Sequence, residues 1–395
     1  MKKLLLLALV MFSMNSFAQS FRPLMSEKNP ESVKVAKFKT HRSIKDLNVE
    51  KRAESAVKTP AKAPEGTTSG FYMDCYQSVY GMEYLCNRNH VYSEIIISSD
   101  GKKAYIPNIF YTDLFGKDLY IEGNVDADGT IEIGYQNLIT YQNMPFYVGN
   151  VDITTGDIDK EGTFKLYYDA QNKMYYSDQE SYFALYLEDG GSYYLDTYFT
   201  YFTFIPDNVY PEATKHSYSF VDIDEKAQTT TVDMIDIGDN YFYINNLMPG
   251  YDNVWLMGYI DNNGMNIYSY QVASDNCAFC FIDQQGNLLD GGTLAYDSSD
   301  KTYKLPSDMM FADVFYDDGS LTGAEGLYVA TNNLSNMCIS STTAGINKVE
   351  NGNENVVSTN YYDLSGRRIN NASKGISIKV MKYADGTSKA VKVIK

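Results

Sequence analysis

The sequence is poor in the residues from which most catalytic sites are built. In 395 residues it has three histidines (His41, His90 and His216), five cysteines and one tryptophan. It contains no Gly-x-Ser-x-Gly, no His-Glu-x-x-His and no Gly-x-x-x-x-Gly-Lys, so the signatures of a nucleophile elbow, a zinc protease and a phosphate-binding loop are missing. His90 and His216 open the strand region of each half of the chain and read as surface or edge-strand residues, not catalytic bases. No apolar run reaches the ~18 residues that cross a bilayer. Basic residues are scarce where the chain is densest in aromatics: residues 66–345 hold 11 Lys/Arg against 40 Asp/Glu. A body of that charge repels nucleic acid and anionic lipid.

What is present is enough to fold. Apolar residues make up 44% of the chain, and 36 of the aromatic residues are tyrosine. The length predicts two or three domains. Residues 1–18 read as a signal peptide: Lys2 and Lys3, the apolar run Leu4 to Met11, then Ser16-Phe17-Ala18 for cleavage after Ala18. No cysteine follows the run to carry a lipid anchor. Residues 19–69, rich in Lys, Glu, Ser, Ala and Pro, cannot bury enough apolar surface to offset chain entropy and read as a flexible linker.

The body repeats itself. Ala104-Tyr105-Ile106-Pro107-Asn108-Ile109 matches Phe242-Tyr243-Ile244-Asn245-Asn246-Leu247, and the segment from Ile121 to Gly129 matches Leu256 to Gly264. Leu166-Tyr167-Tyr168-Asp169 then matches Leu294-Ala295-Tyr296-Asp297, and Leu187-Glu188-Asp189-Gly190 matches Tyr316-Asp317-Asp318-Gly319. The order is kept, with offsets of 138, 135, 128 and 129. Short β-branched and aromatic runs alternate with Asp-Gly and Asn-Gly turns, which supply the left-handed backbone that tight hairpins need. The expectation is an all-β fold. Two tandem antiparallel β-meander modules, 70–207 and 208–340, would each close about eight strands into a barrel- or sandwich-like body, followed by a small C-terminal β domain at 346–395.

That last segment carries Tyr361-Tyr362-Asp363-Leu364-Ser365-Gly366-Arg367-Arg368-Ile369, then Lys374-Gly375-Ile376-Ser377-Ile378-Lys379-Val380, an Asp385-Gly386 hairpin and a closing strand. It resembles the C-terminal sorting domain of type IX secretion cargo in Bacteroidetes, with Ser377 where that family usually has Tyr. The resemblance implies handling by the secretion machinery through 346–395, and a secreted or outer-surface location. The repeat, through Tyr243-Ile244-Asn245-Asn246-Leu247 and the stretch from Trp255 to Gly264, also resembles secreted Bacteroidetes proteins of unknown function, a group that implies export and β architecture but no catalytic residues.

Candidate chemistry is thin. Cys75 and Cys86 flank the turn-like Tyr80-Gly81-Met82 and could face each other across a hairpin as a disulfide. Cys277-Ala278-Phe279-Cys280 has redox spacing but lies in a strand-like run, where i and i+3 point to opposite faces, so buried thiols are expected. Asn124-x-Asp126-x-Asp128-Gly129 copies half of a calcium loop, but Tyr135 stands at the position of the bidentate Glu, so a hairpin is expected. No cofactor or metal is called for. Twelve tyrosines crowd residues 141–201, while the matching span of the second copy has far fewer. Exposed rings give rigid, amphipathic contact area for a sugar or a protein, and Tyr193, Tyr198 and Tyr201 are the expected ligand-binding residues. The reading is a non-enzymatic binding protein for a glycan or host protein. A purely structural or adhesive surface component and an unrecognised hydrolase are the alternatives.

Overall fold

The computed structural model describes residues 64–343, apart from 80, 81, 83, 117, 142, 153, 154, 179, 275 and 319–324, together with 356–362, 368–369, 376–383 and 388–394. The leader, and the linker up to residue 63, lie outside the described residues. The described residues up to Thr343 and those from Val356 onward belong to separate compact units.

The first module consists of β1 (Thr67–Gln77), β2 (Cys86–Ile97), β3 (Lys103–Pro107), β4 (Tyr120–Val125), β5 (Ile131–Gly134) and β6 (Gln136–Tyr141). It continues through β7 (Met144–Val151), β8 (Ile158–Asp159), β9 (Thr163–Asp169), β10 (Met174–Tyr176), β11 (Tyr182–Asp189) and β12 (Ser192–Pro206). The first strand therefore takes the last three residues of the expected linker. A one-turn helix, α1 (Thr112–Phe115), and a 3₁₀ turn at Asp207–Val209 interrupt the strands. The second module consists of β13 (Thr214–Val221), β14 (Ala227–Gly238), β15 (Tyr241–Asn245), β16 (Trp255–Ile260), β17 (Gly264–Tyr268) and β18 (Gln271–Ser274). It continues through β19 (Cys277–Asp283), β20 (Leu288–Leu289), β21 (Gly291–Asp297), β22 (Thr302–Lys304), β23 (Met309–Asp318) and β24 (Glu325–Thr343).

The two modules share one strand order, pair for pair. In the first, β1–β2–β3–β4–β5–β9–β10–β12 closes back on β1 through antiparallel pairs, a ring of eight strands. In the second, β13–β14–β15–β16–β17–β21–β22–β24 closes back on β13. Neither is a plain meander. After its fifth strand each module leaves the ring to build a wing, β6–β7–β8 with β11 in one case and β18–β19–β20 with β23 in the other. The long strands β12 and β24 belong to both ring and wing.

Alternation drives the ring strands: β3 and β5 bury every second residue, as a sheet with one face on a core requires. Phe71, Ile106, Ile121, Ile131, Phe164 and Phe204 belong to the first core, and Phe220, Ile244, Leu256, Met265, Leu294 and Ile339 to the second. Matching glycines mark where the ring is tightest. A Cβ on Gly123 would lie 2.5 Å from Ile131 Cγ2, and one on Gly258 would lie 2.4 Å from the Asn266 carbonyl. The modules join through β2, which pairs with β16 at Asn89↔Trp255 and runs parallel to β18 at Asn87↔Gln271.

In the separate C-terminal unit, β25 (Val356–Tyr362), β26 (Arg368–Ile369), β27 (Ile376–Tyr383) and β28 (Ser388–Ile394) form an antiparallel sheet in the order β26–β25–β27–β28. The Ser365-Gly366 and Asp385-Gly386 turns lie outside the described residues. Among the described residues no helix is long and apolar enough to cross a membrane.

Candidate functional site on the wing of the first module

The first wing has two faces. Met144, Phe146, Val148, Phe183, Leu185 and Leu187 point into the ring core. On the opposite face, Tyr147, Val151, Ala184, Tyr186, Leu195 and Tyr198 cluster with Tyr182, Tyr193 and Tyr201. Two irregularities arrange this face. The register shifts between Leu185↔Thr197 and Tyr186↔Leu195, so Asp196 bulges, and Leu195 and Tyr198 come to the same side although three residues apart. Tyr201 is left-handed, with φ 55, where β1 also loses register between Asp74 and Tyr76.

At the outer end three rings brace one another. Tyr135 and Tyr147 stack with centroids 5.0 Å apart, and Tyr193 meets them edge-on at 6.3 and 5.5 Å. The Tyr135 and Tyr193 hydroxyls are 3.1 Å apart. The Lys160 ammonium sits 4.0 Å from the centroid of the Tyr193 ring and 5.4 Å from that of Tyr135. All three rings are half-buried and Lys160 is exposed. Burial, then the Tyr193 hydroxyl, pushes the Tyr135 phenol well above its ordinary range. The ensemble offers ring faces, hydroxyls and one positive charge, which suits binding and gives no acid–base pair.

Of the three expected ligand residues, Tyr193 is in this cluster. Tyr198 is not available: it is 0% exposed, edge-on to Tyr182 at 5.6 Å, and its end of the face is covered by Tyr76 and Leu85. It is a core residue. Tyr201 is half-buried and packs edge-on against buried Tyr76 at 5.3 Å, away from the outer cluster. Tyr135 and Tyr147 were missed because the stacking partner comes from a residue between β5 and β6, which sheet alternation does not locate.

The expected disulfide does not form. Cys75 and Cys86 are free, buried thiols on neighbouring strands. Cys75 lies opposite Arg88 and Cys86 opposite Gln77, a diagonal offset of two residues rather than a facing pair. Diagonal neighbours are ~7–8 Å apart, too far for the bond. Cys277 and Cys280 are also buried and belong to different clusters, as opposite faces of β19 require. Burial pushes Cys75, Cys277 and Cys280 up to about 12, so they stay protonated. Asp126 is a turn residue whose Oδ1 accepts the backbone N–H of Asp128 and Thr130. Among the described residues no group of three His, Cys, Asp or Glu could hold a metal.

The histidines divide. His216 ties strand edges together, with Nδ1 2.8 Å from the Ser340 carbonyl and Nε2 3.0 Å from Thr214 Oγ1. His90 is not a surface residue but a buried one, 3% exposed, at the junction of the modules. Burial pulls its imidazole down to about 3. Its backbone N–H donates to Asp74 Oδ1 at 2.7 Å, and the Tyr243 hydroxyl donates to Asp74 Oδ2 at 2.7 Å. Burial raises the Asp74 carboxyl to about 6, against the lowering effect of those two bonds. His41 lies outside the described residues.

No protein-family model and no curated protein matches the chain. A solved structure from Nitrosomonas europaea, provisionally named AttH, aligns over 72% of this chain and 99% of its own at 9% identity, with a TM-score of 0.16, too low to carry an argument.

Proposed function

We propose that this is an exported, non-enzymatic β-repeat protein that binds a glycan through the Tyr135–Tyr147–Tyr193 cluster and Lys160. Residues 1–18 direct export from the cytoplasm, and 346–395 direct sorting to the outer surface or the medium. The observation that carries the reading is the placement of the cluster. Braced, half-exposed rings occupy the outer end of a face that the second module fills with Ala278 and covers. Sugar C–H faces stack on such rings, the hydroxyls accept and donate, and Lys160 favours anionic or hydroxyl-rich ligands. The acidic body keeps nucleic acid and anionic lipid away.

A glycan array probed with the full chain, compared with Tyr193→Ala and Tyr147→Ala, tests the reading. The expected result is binding to a restricted set of saccharides, lost in both variants while each still unfolds cooperatively with its melting temperature lowered by no more than a few degrees. Absence of glycan binding, with retention of a protein partner that depends on the same rings, would move the reading to a protein ligand. Binding unaffected by either substitution would remove the cluster from the function altogether.

A further inference from the structure

A second site lies where the modules join. His90 stands on β2 just after Asn87 and Asn89, the two residues that pair with the second module. Its imidazole stacks on Tyr72 with centroids 3.7 Å apart and planes 8° from parallel. Tyr210 and Trp255 meet it edge-on at 4.6 and 5.0 Å, and Tyr243 lies tilted at 5.2 Å. The backbone of His90 is left-handed, with φ 52, a conformation uncommon outside glycine that histidine takes more readily than most residues.

Beside His90 the polar accounting leaves two atoms over, its own Nδ1 and the Tyr210 hydroxyl, and Asn87 on the same strand adds both atoms of its amide. Both oxygens of Asp74 are engaged, by the His90 N–H and the Tyr243 hydroxyl. The Nδ1 of His90 is buried without a hydrogen-bond partner. Folded proteins rarely leave such an atom unmatched unless something outside the chain meets it. Tyr72, Tyr210 and Trp255 are only half-buried, so the cluster reaches the surface on those sides.

We propose that this junction is a binding site for a small, uncharged molecule that presents a hydroxyl to His90 Nδ1 and an apolar body to the Tyr72, Tyr210 and Trp255 rings. A hydroxyl both donates and accepts, so it serves either imidazole tautomer. Charge is selected against: the imidazole is neutral at physiological pH, the Asp74 oxygens are taken, and an ion here would lose its hydration without a counter-charge. The site is distinct from the wing cluster and does not depend on it.

Trp255 is the chain's single tryptophan, so its emission reports this junction alone. The full chain is titrated at pH 7.5 with cyclohexanol, and with cyclohexanecarboxylate as the charged control. The expected result is a saturable change in Trp255 emission with the alcohol only. In His90→Asn, which keeps the left-handed backbone and the N–H to Asp74, the dissociation constant should rise at least about tenfold. No saturable response in the wild type, or an equal response in His90→Asn, would show that the orphan nitrogen holds ordered water only. Should His90→Asn fail to fold, ¹⁵N spectra of the wild-type imidazoles decide: the His90 Nδ1 resonance must move on adding cyclohexanol, and a fixed resonance overturns the proposal.

Discussion

The two wings have the same strands in the same register and opposite solutions to the same problem. In each module the wing turns one apolar face away from the ring. In the second module that face is Ala278, Cys280, Ala312 and Val314, and it is covered by Val79, Met82 and Tyr84 from the connection between β1 and β2. Tyr84 packs on Tyr270 with centroids 5.0 Å apart. In the first module the corresponding positions are Tyr147, Gly149, Ala184 and Tyr186, as the pairs Tyr147↔Tyr186 and Ala278↔Val314 align them. Leu85 and Tyr76 cover only the inner end there. A covered face needs small side chains to admit its cover, whereas a face left open fills its own space with rings. The tyrosine asymmetry thus follows from which face receives the β1–β2 connection, and only the outer remainder is left for a ligand.

The sharpest way to break this comparison is to remove a ring that is shut inside the fold. Tyr186 is 0% exposed and its hydroxyl donates to the Gly156 carbonyl at 3.3 Å. Tyr186→Ala should cost about 3–5 kcal/mol, as buried aromatic truncations do. Val314→Ala at the matching position of the second module loses two methyl groups and should cost about 2 kcal/mol. Urea denaturation of both variants checks this. Equal losses would mean that the two faces are packed alike.

Proton linkage gives the next effect, at the point where β1 leads toward the cover. His90 binds its proton near pH 3 in the folded chain and near 6.5 when unfolded, so acidification below 6.5 favours unfolding. Asp74 takes up its proton near 6 when folded against an ordinary 3.8, so acidification from 6 toward 4 favours the folded chain. In the wild type the two oppose each other. In His90→Asn the imidazole no longer opposes the carboxyl, and between pH 6 and 4 its stability should gain about 2 kcal/mol relative to His90→Asn/Asp74→Asn, which shares every other titrating group. Parallel stability profiles for the two variants over that range would contradict the assignment.

Much of this architecture was legible in the residues. The repeated Tyr-Ile-x-Asn run fell on β3 and the start of its connection, and on β15, while Gly123 and Gly258 marked the same tight crossing in both rings. The wings were not legible, because nothing local says that a strand will skip its neighbour and pair with one further on. The aromatic site was half legible. Tyr193 could be picked from its crowding, but the bulge at Asp196 and the left-handed Tyr201 reset the side-chain phase, and phase decides which rings are covered. The junction was invisible, since Asp74 and Tyr243 are 169 residues apart.

A swap tests the covering argument from the other side. Ala278→Tyr places the first module's ring beneath the second module's cover, and overpacking there should cost about 1–3 kcal/mol. Tyr147→Ala, on the open face, should cost less, because its ring is already half in water. Thermal unfolding orders the two, and a larger loss for Tyr147→Ala would mean that the first face is as closed as the second.

The smallest effect is electrostatic and isolates the ligand surface from the fold. Lys160 directly follows β8, and the residue directly following β20 is Asp290, so the two modules carry opposite charges at one position. An exposed ammonium over a tyrosine ring contributes ~0.5–1 kcal/mol, so Lys160→Asp should change stability by no more than about that much. Its effect on binding should be clearer. The substitution removes the one positive charge over the rings and places a carboxylate on an already acidic body. Binding of an anionic saccharide should weaken with little change in melting temperature, and the loss should shrink as salt is added, because a Debye length of ~10 Å at 0.1 M screens exposed charges. A neutral saccharide should be nearly indifferent. If both ligands lose affinity equally and salt makes no difference, Lys160 acts by bracing Tyr193 in place, and the charge difference between the wings has no part in recognition.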